Sequence, residues 1–261
     1  MRLLIAQAAQ RAEVNGLHMY YEEYGTGSPL VLVHGAASTV QTSFGRLIPE
    51  LSKTHRIIAV ELQAHGHSDN RDGRPISFVQ DAEDIVELLR QLQIGRADFF
   101  GFSNGGTTVL EIAIRYPALV NRIIFASSMY KRADCPTSFW EGFKNARFED
   151  MPETYKKVFL SINPSPEALH VMFDQCVQRM QCFTDIPDSS VQAIDARTLI
   201  LLGDHDVPLP EGAVAMYRLM RHANLAVFPG GHGGYMGEIT GWKAEDGPPV
   251  ALALIVEFLN Q

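Results

Sequence analysis

At 261 residues, with 46% hydrophobic and 20% charged side chains, the chain can bury a substantial core as one large domain or two small ones. Thirty acidic against 22 basic residues leave a net charge of −8 with no basic cluster, which argues against a nucleic-acid partner. Three cysteines, Cys135, Cys176 and Cys182, are an odd number without paired spacing, which argues against a disulfide framework and suits a reducing, cytoplasmic setting. No run is long enough to span a bilayer.

In chain order, Met1 to Ala8 faintly mimics an export signal, but its apolar stretch is too short for one. Leu17 to Tyr24 alternates weakly and reads as an early strand. The turn Gly25-Thr26-Gly27-Ser28-Pro29 leads into Leu30-Val31-Leu32-Val33, a continuous apolar run of the kind found in strands covered on both faces. A helix is expected over Phe44 to Leu51, then a buried strand at Ile57-Ile58-Ala59-Val60. Phe78 to Leu92 repeats its apolar residues with a period near 3.6, opens on a Ser77/Gln80 capping box and stops before Gly95. Phe99 to Phe102 and Ile123 to Ala126 read as further buried strands. The helix between them, Gly105 to Arg115, is stopped by Pro117.

The alternation breaks over residues 130–196, which hold only amphipathic pieces such as Phe139–Phe148, Glu153–Leu160 and Glu167–Cys182. That is too long for a connecting loop, so it reads as a helical cap on a core formed by 1–129 and 197–261. Buried strands resume at Leu199–Leu202 and Leu225–Phe228. An irregular piece from Gly233 to Pro249 precedes a closing helix at Val250–Leu259. The expected fold is α/β: a doubly wound, mostly parallel sheet with a helical cap between strands 6 and 7.

Chemistry concentrates where strands end. Gly101-Phe102-Ser103-Asn104-Gly105 is a G-x-S-x-G turn between strand and helix, which exposes the serine hydroxyl at the carboxyl edge of the sheet. A serine needs a base beside it, usually a histidine oriented by a carboxylate. Asp204-His205-Asp206 follows the Leu199 strand, and Pro229-Gly230-Gly231-His232 follows the Leu225 strand. The chain order Ser103, Asp206, His232 is therefore nucleophile, acid, base. His34-Gly35-Ala36-Ala37 ends the Leu30 strand as a small-residue loop. The amides of Ala36 and Asn104 are the expected oxyanion donors. Both Asp204 and Asp206 follow the strand, and one of them can be a turn residue. His65-x-His67 with Asp69 and the Asp204–Asp206 segment read as turn residues, and no metal site is expected.

Together, HGAAS at 34–38, AHGHS at 64–68, GFSNGG at 101–106, GDHDVP at 203–208 and GGHGG at 230–234 resemble the α/β-hydrolase superfamily over essentially the whole chain. The similarity is to its capped, esterase-like branch. The loop Glu61-Leu62-Gln63-Ala64-His65-Gly66 departs from the Asp-x-x-Gly pattern frequent there. The resemblance implies Asp206 as the acid, through Gly-x-x-Asp with proline two residues on. It also implies a hydrolase of small-molecule carboxylic esters that works without a cofactor. His34, Met129, Trp140 and Phe143 are candidate pocket residues. The alternative for His34 is a structural role in the oxyanion loop, and for the others the cap's own small core. The same triad serves lactonases, thioesterases, carbon–carbon bond hydrolases and perhydrolases, and some relatives on this fold are non-catalytic receptors. Carbon–carbon hydrolysis is disfavoured because those relatives commonly carry a bulky residue where Gly233 stands. An aspartate nucleophile, as in dehalogenases and epoxide hydrolases, is excluded by Ser103.

Overall fold

The computed structural model describes residues 8–71, 73–243 and 247–261. Most of the weak leader-like start therefore lies outside the described residues. Eight strands form one sheet in the order β1-β2-β4-β3-β5-β6-β7-β8. They are β1 (Ala8–Val14), β2 (Leu17–Tyr24), β3 (Ser28–Val33), β4 (His55–Val60), β5 (Ala97–Phe102), β6 (Val120–Ala126), β7 (Arg197–Gly203) and β8 (Ala223–Phe228). β1–β2 and β2–β4 pair antiparallel, and every pairing from β4 to β8 is parallel.

The continuous apolar runs are explained by cover on both faces. Val31, Val33, Phe99, Ile123 and Phe125 enter one buried cluster, while Leu30, Leu32, Phe100, Phe102 and Ile124 enter another. Alternate side chains thus pack on opposite sides of the same strands. Each fully buried aliphatic or aromatic side chain there contributes about 1.5–3 kcal/mol. On the first face lie α3 (Phe78–Gln91) and α4 (Asn104–Arg115), together with α9 (Pro210–Leu219). α1 (Val40–Phe44), α2 (Ile48–Leu51) and α10 (Leu252–Asn260) cover the second. Between β6 and β7 come α5 (Thr137–Lys144), α6 (Glu153–Ile162), α7 (Pro166–Gln181) and α8 (Asp188–Gln192). None of the described helices is long and apolar enough to cross a membrane.

Two sequence expectations need correction and two elements had not been expected. The single helix over Phe44–Leu51 is two short ones, because Gly45 caps α1 and Pro49 fits only the first turn of α2. β1 was not anticipated: its side chains are mostly exposed, so it carries no apolar pattern. The signal was the tight turn Asn15-Gly16, whose residues have φ of +49° and +80°. α9 also escaped notice, although Pro210 at its start is a helix-opening residue. β8 lies at the edge of the sheet with Val227 exposed, so it is not a strand covered on both faces.

Candidate active site

The G-x-S-x-G turn is strained at its serine. Ser103 has φ +54° and ψ −124°, held by its N–H donating to the Ala126 carbonyl at 2.9 Å. The two motif glycines answer to close backbone approach. A Cβ at Gly105 would lie 2.0 Å from the Val33 carbonyl oxygen, and one at Gly101 would lie 2.3 Å from that of Gly105. Ser103 caps α4, so Asn104 opens the helix with its N–H free of the helical ladder. Among the described residues, neither the Asn104 N–H nor the Ala36 N–H donates to a protein acceptor. The Asn104 side-chain nitrogen is likewise buried without a partner. Gly35 brings the 34–37 loop against the turn, since a Cβ there would stand 3.1 Å from Ser103 Cβ.

Asp206 and His232 meet after β7 and β8. His232 Nδ1 and Asp206 Oδ1 are 2.6 Å apart, and the Asp206 side chain is fully buried. The carboxylate also accepts from Val207 N–H at 2.7 Å, Gly203 N–H at 3.0 Å and Ser127 Oγ at 2.5 Å. Burial alone would raise this carboxyl, but the bonds from His232, Gly203 and Ser127 more than offset it and hold it below the ordinary carboxylate value. Asp204 instead points outward, 48% exposed, accepting from Gly230 N–H. It is a loop-closing residue.

The His232 ring packs 4.8 Å from the Phe102 ring, beside the residue that precedes Ser103. Neither Ser103 Oγ nor His232 Nε2 forms a hydrogen bond to a described group. Unliganded sites of this kind often close that contact only on substrate. Three supporting residues escaped sequence reasoning. Ser127, at φ +48°, donates to Asp206 and lies 2.8 Å from the Tyr235 hydroxyl, whose single proton faces both Ser127 Oγ and the Leu201 carbonyl at 3.2 Å. Ser128 Oγ donates to the Ser103 carbonyl at 2.6 Å. A hydroxyl carries no sequence signal of its own, because its role depends on partners supplied by distant segments.

The candidate pocket residues divide. His34 is fully buried: Nδ1 lies 2.7 Å from the Gly35 carbonyl, and Nε2 accepts from Leu62 N–H at 3.1 Å. Burial pushes its imidazole below the usual value, and with Nδ1 facing a carbonyl while Nε2 accepts an N–H the ring fastens the loop in its neutral form. Met129, Trp140 and Phe143 share an apolar cluster with Met180, Phe183 and Val207, the neighbour of Asp206. Of the other histidines, His65 binds backbone groups and His67 lies 2.9 Å from buried Glu61.

The helical segment is fastened to α3 by charge. Arg179 of α7 and Asp81 of α3 form an ion pair at 2.5 Å, both side chains 1% exposed. Removing one partner strands a buried charge, so Arg179→Ala should cost about 3–5 kcal/mol in urea unfolding. The pair replacement Asp81→Leu with Arg179→Met should recover most of it. A single-variant loss below about 1 kcal/mol would mean that the pair does not fasten this segment.

Comparison with known proteins follows this geometry. Residues 28–183 match the sequence profile described as alpha/beta hydrolase fold. The chain is 28% identical to human serine hydrolase BPHL over 139 residues, covering 52% of this chain and 48% of that protein. It thus spans about half the length of that relative. Over 247 residues it is 26% identical to 2-hydroxy-6-oxo-2,4-heptadienoate hydrolase of Pseudomonas putida, covering 85% of this chain and 88% of the relative. To the pimeloyl-[acyl-carrier protein] methyl ester esterase of Nitrosospira multiformis it is 28% identical over 239 residues, covering 81% and 89%. With the profile matched over more than half its length and the strand order above, the chain belongs to the alpha/beta hydrolase family.

Proposed function

We propose that this protein is a serine hydrolase that cleaves small-molecule carboxylic esters through an acyl-enzyme. The reading is supported by the strained turn that carries Ser103, by the His232 ring packed 4.8 Å from the ring of the preceding Phe102, and by fully buried Asp206 holding His232 Nδ1 at 2.6 Å. Ser103 Oγ attacks the ester carbonyl while His232 Nε2 takes its proton, then returns it to the leaving alkoxide. Asp206 keeps Nδ1 protonated and stabilises the imidazolium. The Ala36 and Asn104 amides receive the oxyanion, each worth about 3 kcal/mol in comparable sites. Water then resolves the acyl-enzyme with His232 as base. Residues 130–196 act as the cap over a core of 1–129 and 197–261, and Met129, Trp140 and Phe143 bound the acyl side. Three free thiols, two of them buried, support a reducing, cytoplasmic setting.

The dienoate hydrolase relative raises carbon–carbon cleavage as a second reading. Crowding at Gly233 weighs against it. A Cβ there would lie 2.7 Å from Glu238 Cβ and 2.8 Å from Phe102 Cζ, so the bulky residue common after that histidine has no room. The esterase relative supports the ester. Short-chain p-nitrophenyl esters should give a burst of about one p-nitrophenol per protein, followed by steady release. A burst without further turnover would mark a receptor. No reaction with esters, alongside cleavage of a dienoate, would transfer the assignment to carbon–carbon hydrolysis.

A further inference from the structure

Two buried histidines stitch together the loops that follow β3 and β4. His34 Nε2 accepts the Leu62 N–H from the second loop at 3.1 Å, and His65 Nε2 accepts the Ala37 N–H from the first at 3.1 Å. Each ring is locked by its other nitrogen, His34 Nδ1 to the Gly35 carbonyl and His65 Nδ1 to the Gln63 carbonyl at 2.8 Å. Those Nδ1 atoms must therefore carry the proton, leaving both Nε2 atoms as acceptors. The loops need such a tie because they are not relaxed: Ala37 and Ala64 sit at φ +56° and +66°, where a Cβ is unfavourable. From α7, Cys176 Sγ lies 3.4 Å from His65 Nε2, so the helical segment closes over the same acceptor.

We infer that His65 is a positioning residue of the hydrolytic reaction: by holding the Ala37 N–H it fixes the peptide plane next to Ala36 and aims the Ala36 N–H at the substrate oxyanion. This rests on the reading of Ala36 as an oxyanion donor. The physical link is short. Ala37 N–H is one bond system away from the Ala36 amide, and the left-handed φ at 37 has other ways to relax once its N–H is released. A donor pointing away contributes nothing to the tetrahedral state, while ground-state binding of the ester is little changed.

The discriminating pair is His65→Asn and His65→Gln. An asparagine amide reaches only the Nδ1 position and satisfies Gln63, whereas a glutamine oxygen reaches the Nε2 position and can accept from Ala37. The expected result for His65→Asn is a kcat on p-nitrophenyl acetate lower by roughly 100-fold with KM within about threefold. Its affinity for phenylboronic acid, which forms a tetrahedral adduct on Ser103, should fall in parallel. His65→Gln should recover most of both losses. Equal activity of folded Asn and Gln variants, or loss confined to KM, would overturn the inference. A measurement on the unaltered protein stands beside these variants. An N–H···N bond transmits scalar coupling, so an Ala37 15N to His65 15Nε2 cross-peak is expected in the boronate-bound enzyme, and its absence would overturn the tie. An unaltered protein that shows the cross-peak without boronate yet neither turns over esters nor binds boronate would instead refute the hydrolase reading.

Discussion

Ser103→Ala should remove ester turnover almost entirely, a loss on the order of 10⁶-fold in kcat, with the fold intact. The fold should survive because the strain is held by the backbone: the Ser103 N–H to Ala126 bond and the Ser128 bond to the Ser103 carbonyl do not use the hydroxyl. Ser103 Oγ makes no hydrogen bond to any described group, so its deletion leaves no buried partner unpaired. The variant should show no p-nitrophenol burst and an unchanged unfolding midpoint. Activity above about 1% of the original in protein free of contaminating esterase would remove Ser103 from the mechanism.

Asp206→Asn should come second, lowering kcat about 10⁴-fold, because an amide in that seat can present its N–H₂ to His232 and favour the wrong tautomer. Asp204→Asn should stay within about threefold, since Asp204 is exposed and closes a turn through a bond an asparagine oxygen can also accept. The reverse order would reassign the acid. Stability carries a second signature. The Asp206 carboxyl is held below its ordinary value, so its bonds stabilise the fold above about pH 4 and that contribution is lost as pH falls through the folded value. Asp206→Asn should therefore flatten the acid limb of the stability profile. An unchanged limb would show that the carboxylate carries no folding energy.

Much of this architecture was legible from the chain because covered parallel strands leave an unmistakable record. Runs such as Leu30–Val33 and Phe99–Phe102 are apolar at every position only when both faces are packed. Elements lacking that pressure were lost or misread. β1 is mostly exposed and left no burial pattern, while Leu225–Phe228 was found as a strand but taken as covered on both faces although β8 lies at an edge. The helix split at Gly45 and Pro49 follows from two local breakers inside the expected Phe44–Leu51 helix.

The site divides along the same line. Ser103, His232 and an aspartate of the Asp204–Asp206 segment could be proposed from residue type and order alone, because each follows a strand end and nucleophilic chemistry admits few side chains. Choosing Asp206 over Asp204 on physical grounds needed coordinates: two carboxylates two residues apart are equivalent in a sequence, yet one is sealed under four donors and the other faces water. Ser127, Tyr235 and His65 belong wholly to the tertiary structure. A hydroxyl or an imidazole has no role until a distant segment supplies its partner, and the partners here come from chain positions 28 to 108 residues away. Local chemistry therefore nominated the candidate reacting groups, and long-range packing chose what holds them still.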